Sequence, residues 1–369
     1  MKKLKILYLV STLKKCGPIN ILYGIIKGMD KDIFDIFIIC LSREGANSMT
    51  DHFLAMNIQI INLNNDRLTG IIKNKKAIQS FVDANKIDIS HSHGLRADSI
   101  NSKLKRVISI NTIHNFPRED YIFRYGKILG RVMEIAHKKA IAQITYPIAC
   151  SKTVRDKFLL NYGIATFVVQ NGIDRKEFLP AKGLNDQLKK DLNLPLDKNI
   201  FIVSGALTEL KNPKLIIKTF NQLQDTKALL LFIGNGNLLK ALSQSNQNKR
   251  IIFRGQVDQV HDYLKASNYY ISASLTEGLP NSVLEAMSSG LPCLLSNIPS
   301  HIEIVGKTYN YLFNPEDSVE LLEKVILILK NDTKEISQYL EGKIVEIFNI
   351  ETMSKQYQAV YLDQIKKAI

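Results

Sequence analysis

The chain has 369 residues, 45% hydrophobic and 23% charged, with 49 Lys and Arg against 35 Asp and Glu, a formal net charge of +14. That length favours two domains over a single core, and the ordinary globular composition excludes a low-complexity or helical-repeat chain. Cys16, Cys40, Cys150 and Cys293 lie far apart with no CxxC pair, which excludes a disulfide-stapled or zinc-finger framework and suits a reducing cytosol. The basic balance favours anionic partners, though a solvated basic surface gives the same count.

The first segment, MKKLKILYLVSTLKK, has the look of a signal peptide. Its apolar run is too short and Lys14 and Lys15 follow at once, so it reads as a β-strand over 4–10. Further strands are predicted at 34–41, 58–63, 87–90, 107–113, 146–150 and 166–169, alternating with amphipathic stretches such as 19–29, 71–84, 97–106 and 152–161. At 170–180 the sequence QNGIDRKEFLP breaks the rhythm with Asn-Gly and a proline, as a linker does. A second series follows at 200–204, 228–233, 250–253, 269–272, 292–295 and 310–313, and helices are expected at 316–330 and from 334 onward. No apolar run is long enough to span a bilayer.

Strands that are apolar throughout and joined by helices indicate parallel sheets buried on both faces. The expectation is therefore α/β with two doubly wound, Rossmann-like domains facing each other across a cleft. The domains are placed at 1–175 and 176–345, and a C-terminal helix over 346–369 packs back toward the first. In such sheets ligands bind outside the carboxyl ends of the strands.

The most informative stretch is SLTEGLPNSVLEAM, residues 274–287. Glu277 is expected to end a strand, with Gly278-Leu279-Pro280 after it and a helix from Asn281 or Ser282 carrying Glu285 in its first turn. Gly290 with Leu291-Pro292 stops that helix. Free N–H groups and the dipole at its start suit phosphate or sugar hydroxyls, and Gly278 lets the backbone approach a ligand closely. Ser282-x-x-Glu285 is equally a capping box, and Glu277 could be a loop carboxylate in solvent.

This motif, continued by Ser289-Gly290-Leu291-Pro292-Cys293, resembles the E-x7-E signature of the family 4 glycosyltransferases, among them those of bacterial surface polysaccharides. The similarity extends over essentially the whole chain. It includes Ser204 to Leu207 with Lys211-Asn212-Pro213, Phe232 to Gly236, Phe253 to Gln256, Cys16-Gly17-Pro18, and Thr112 to Asn115. It implies a GT-B fold and a retaining, metal-independent enzyme moving a hexose or N-acetylhexosamine from a nucleoside diphosphate to a lipid-linked saccharide. Uracil is the base that family frequency favours, with guanine open.

Residue by residue, the resemblance implies that Glu277 contacts donor-sugar hydroxyls and Glu285 the ribose. The Gly278 and Leu279 backbone would bind near sugar and phosphates, and Lys211 would pair with the diphosphate. Gly17, Gly205, Asn235 and Arg254 complete the donor side. His114 would lie near the transferred sugar as a catalytic group with Glu277 and Lys211, and His91 and His93 would line the acceptor side. Ala206 stands where the family often has arginine, which shifts diphosphate neutralisation toward Lys211, Gly17 and backbone groups. No metal or other cofactor is expected.

Two further readings come from the residues. The stretch 121–143 interleaves Arg124, Lys127, Arg131, Lys138 and Lys139 with Ile122, Phe123, Ile128, Leu129, Val132, Met133 and Ile135. A basic amphipathic helix there suits an anionic membrane surface, or its apolar face packs on its own domain. A cytoplasmic protein, peripheral on the inner face of the cell membrane, is the expectation. Charge alone favours nucleic acid and no binding motif accompanies it, so no nucleic-acid partner is expected. The alternatives left open are an epimerase or phosphorylase of the same fold and a catalytically silent saccharide-binding partner.

Overall fold

The computed structural model describes residues 3–65, 70–180 and 185–368. The first sheet contains β1 (Leu4–Val10), β2 (Phe34–Cys40), β3 (Gln59–Asn62), β4 (Ile89–His93), β5 (Ile108–Ile113), β6 (Tyr146–Ala149) and β7 (Phe167–Val168). The second contains β8 (Asn199–Ser204), β9 (Ala228–Ile233), β10 (Ile251–Phe253), β11 (Tyr269–Ser272), β12 (Cys293–Ser296) and β13 (Leu312–Phe313). Each of these strands falls where the apolar, β-branched runs predict one.

Strand order is β3-β2-β1-β4-β5-β6-β7 in one sheet and β10-β9-β8-β11-β12-β13 in the other, and every pairing is parallel. Both sheets are doubly wound, with the direction of winding reversing between β1 and β4 and between β8 and β11. β9, ALLLFI, is buried at every position, as a strand covered on both faces must be.

The chain divides into one unit of Met1–Gly172 with Ile350–Ile369 and another of Ile173–Asn349. These limits fall a few residues from 175 and 345. The helical end is two helices: Lys334–Glu346 lies in the second unit and Ile350–Ala368 in the first.

The helix Ile350–Ala368 enters the first unit's core through Met353, Tyr357 and Tyr361, which pack with Ile6, Tyr8 and Ile25. Its partner is the helix Gly17–Lys27, where Gly24 and the following Gly28 permit the approach. A Cβ added at Gly24 would stand 2.9 Å from Ile350 Cγ2, and one at Gly28 2.7 Å from Ser354 Cβ. Any side chain at either position would force the helices apart.

The stretch 121–143 is not one helix. Gly126, at φ 79°, divides it into Pro117–Tyr125 and Lys127–Ile141. The two pack closely, since a Cβ on Gly130 would lie 2.6 Å from the Tyr121 carbonyl oxygen. The face that Lys127–Ile141 buries is Gly130, Glu134, His137, Ala140 and Ile141. Glu134 receives Arg118, Arg131 and the Tyr162 hydroxyl, while His137 pairs with buried Asp98 at 2.7 Å. Because these polar groups need interior partners, Ile128, Leu129, Val132 and Ile135 are turned outward and exposed.

Candidate functional site

In the second unit the loops after β8, β9 and β11 converge. β8 runs into Gly205, at φ 126°, and β9 into Gly234, at φ 129°. These are left-handed conformations that L side chains rarely adopt. A Cβ on Gly234 would lie 1.9 Å from the Gly205 carbonyl oxygen, and one on Gly236 2.2 Å from that of Leu207. The two loops therefore touch backbone to backbone, tied by Gly205 N–H to Ile233 O and Leu207 N–H to Asn235 O, each 3.0 Å.

Beyond Leu207 the chain makes one 3₁₀ turn, Glu209–Lys211, then the helix Pro213–Gln222. Leu275 N–H donates to Leu210 O at 2.8 Å, which draws the loop after β11 against this turn and brings Glu277 to Lys211. The Lys211 ammonium pairs with Glu277 Oε1, and Ser274 Oγ donates to the same oxygen at 2.7 Å. The other carboxylate oxygen has no hydrogen bond among the described residues. Burial of the Glu277 side chain, 12% exposed, favours its neutral form. The nearby Lys211 charge, with hydrogen bonds from Lys211 and Ser274, outweighs that and holds the carboxyl below its usual range.

Ser274 is fully buried and itself supported. Ser272 Oγ lies 3.2 Å from Ser274 Oγ and 3.4 Å from His301 Nε2, and its single proton serves one of the two. His301 Nδ1–H donates to the Ser296 carbonyl at 2.8 Å, so Nε2 is the acceptor. Burial pushes the His301 pKa down to about 4. The sequence reading passed over Ser272, Ser274, Ser296 and His301, although serines interrupting otherwise apolar strand ends were a usable signal.

A pocket lined in part by Ser204, Gly205, Lys211, Tyr270, Ser274 and Ser282 opens where the winding reverses between β8 and β11. Glu277 lies in the loop beyond β11, not at the strand's end. The helix Asn281–Ser288 has Pro280 at its N-cap and no side-chain cap. The capping box does not form, because Ser282 is already inside the helix, and Glu285 falls in the second turn. Glu285 is half-buried. Gly278 and Leu279, immediately before the helix, are buried. Asn235 is exposed and its Oδ1 accepts from Gly236 N–H at 2.8 Å. Exposed Arg254 donates to the carbonyls of Leu192 and Asn193, at 3.4 and 2.9 Å.

In the first unit Gly17 opens the helix after β1 and is exposed. His91, His93 and His114 follow one another in series, with ring centroids 4.8 and 5.2 Å apart. His91 is a correction to the acceptor-side reading. It is fully buried, its Nδ1 meets Tyr361 OH at 2.6 Å and its Nε2 meets Thr112 Oγ1 at 2.8 Å. With both nitrogens occupied inside the core, it fastens the C-terminal helix to the sheet. His93 is 5% exposed, and its Nδ1 meets His114 Nε2 at 2.9 Å. Only His114 reaches solvent appreciably, being half-buried. Burial pushes His91 down to about 3, His93 well below the ordinary value and His114 down to about 4. No cluster of three or more potential metal ligands occurs among the described residues.

Two family descriptions match this chain: Glycosyltransferase Family 4 over residues 20–177 and Glycosyl transferases group 1 over residues 185–342. An Escherichia coli UDP-Gal:alpha-D-GlcNAc-diphosphoundecaprenol alpha-1,3-galactosyltransferase is 25% identical, over 90% of each chain. The E. coli O-antigen biosynthesis glycosyltransferase WclY is 24% identical, over 99% of this chain and all of its own. Among solved structures, Anabaena HepE in complex with UDP superposes with a TM-score of 0.81 at 16% identity, over 98% of this chain and all of that one.

Proposed function

The chain belongs to the family 4, group 1 glycosyltransferases, and from that membership we propose its reaction. It moves a hexose or N-acetylhexosamine from a nucleoside diphosphate, uridine diphosphate first, to a lipid-linked saccharide in the building of a bacterial surface polysaccharide. The cluster of Lys211, Glu277 and Ser274 supports this most directly. It offers a cation for the leaving diphosphate and a carboxylate with one oxygen open to sugar hydroxyls, beside glycine loops shaped for close backbone approach. The substrates in the name of the E. coli galactosyltransferase and the UDP of the HepE structure agree with the choice of donor and acceptor.

Catalysis on this reading is positional and electrostatic. The anomeric carbon's bond to the diphosphate breaks and its bond to the acceptor oxygen forms on the same face, which retains configuration. The acceptor's proton passes to the leaving phosphate. Lys211 and backbone N–H groups neutralise that phosphate, so the reaction proceeds without a divalent metal.

The protein works at the anionic inner face of a membrane, docked by the helix Lys127–Ile141. Its outward Ile128, Leu129, Val132 and Ile135 form an apolar ridge, and exposed Lys127, Arg131 and Lys139 flank it. No helix among the described residues is long and apolar enough to cross a membrane. A thermal-shift panel of UDP-, GDP- and dTDP-linked sugars tests the donor. One nucleotide class should raise the melting temperature by mass action, and a folded protein that none of them shifts would overturn the proposal.

A further inference from the structure

His93 and His114 share one short contact, and its polarity determines what His114 can do chemically. Both rings are buried enough to be neutral near pH 7, so each carries a single proton. His93 Nδ1 faces His114 Nε2 at 2.9 Å, while His93 Nε2 is buried with no hydrogen-bond partner. If the His93 proton were on Nε2, it would be an orphaned buried N–H, the rarest and costliest kind of unpaired group. Placed on Nδ1, it donates to His114 Nε2 and leaves only an unshared lone pair in the interior. The neighbours reinforce this arrangement. His91 stacks on His93 with both its nitrogens occupied and offers no alternative partner. His114 must then carry its own proton on Nδ1, which makes no hydrogen bond among the described residues, on the part-exposed side of the ring.

We infer that His93 is a positioning residue that fixes His114 as a neutral Nδ1–H donor, so that His114 steadies a ligand oxygen and does not take a proton from the acceptor. This deepens the transferase reading, and rests on it for the ligand oxygen.

The test reads tautomers directly and needs no substrate. The full chain, labelled with [15N]histidine, is examined by long-range 1H–15N correlation at neutral pH, and His93→Asn and His114→Gln assign the signals among seven histidines. The expected result is a protonated Nδ1 and a bare Nε2 on His114. His93→Asn, whose amide nitrogen can stand in for Nδ1, should keep that tautomer. His93→Phe should release His114 into a mixture of the two neutral tautomers, so that protonated Nδ1 and protonated Nε2 signals both appear. A wild-type His114 protonated on Nε2, or on both nitrogens, would overturn the inference, as would an unchanged tautomer in His93→Phe. If His93→Phe does not fold, the wild-type and His93→Asn spectra decide the question. A protein that lacks transferase activity but shows the expected tautomer would sink the function and the ligand contact, and leave the tautomer assignment standing.

Discussion

The membrane docking proposed for the outward face of Lys127–Ile141 can be given a magnitude. Ile128 is 87% exposed and Val132 59%. Full burial of an Ile or Val side chain contributes about 1.5–3 kcal/mol, so inserting these two into an interface contributes about 2–4 kcal/mol. The double substitution Ile128→Ser/Val132→Ser should weaken partitioning into anionic vesicles roughly 30- to 1,000-fold, at about 1.4 kcal/mol per tenfold. Since neither side chain is packed, stability should change by less than about 0.5 kcal/mol.

Substituting these apolar residues is a cleaner perturbation than neutralising the helix's cations. Arg131 binds buried Glu134 at 2.6 Å, and Arg124, on the preceding helix, binds Asp120 at 2.9 Å. Removing Arg131 would leave a 2%-exposed carboxylate short of a partner and disturb the fold itself. Vesicle co-sedimentation at low and high salt separates the contributions, because salt screens the cations and leaves the apolar part intact. Unchanged vesicle binding in the double variant, or a marked drop in melting temperature, would refute the reasoning; the second outcome would mean the ridge is packed, not presented.

Three other outcomes are expected. Glu277→Ala should lower turnover and Glu285→Ala should mainly weaken donor binding, by about 1–3 kcal/mol for a lost charge-assisted hydrogen bond; steady-state kinetics of both variants at wild-type values would remove them from the site. Transfer activity should survive EDTA, and loss restored by magnesium or manganese would show that Lys211 is not sufficient at the diphosphate. Acid should destabilise the fold. His91 titrates at about 3, and His114 and His301 at about 4, in the folded state, against about 6.5 when unfolded. Between these values the unfolded chain binds protons that the folded one refuses. Stability therefore falls as pH is lowered through that window, by about 1.4 kcal/mol per pH unit for each histidine. Urea midpoints that stay level from neutral pH down to about pH 5 would contradict the buried, neutral assignment.

The strands and their order of appearance were legible because a strand covered on both faces must be apolar at consecutive positions, a local signal. The E-x7-E stretch was legible for the same reason: its glycine, proline and carboxylates are near neighbours in sequence. The sequence could not say which groups meet across distance. Lys211 reaches Glu277 only because Leu275 and Leu210 join their loops, and the cluster of Ser274, Ser272 and His301 is assembled from one strand end, the loop after it and the start of a helix. His91 and His93 sit two residues apart on one strand, yet one is locked to Tyr361 and Thr112 while the other faces His114. The stretch 121–143 was equally undecided, since periodicity gives a helix two faces without saying which is turned inward. Asp98, Arg118 and Tyr162 decide that, by offering Glu134 and His137 the partners that buried polar groups require. Local patterning thus fixes which elements form, whereas hydrogen bonding between residues far apart in the chain selects the faces that meet and the surface left outward.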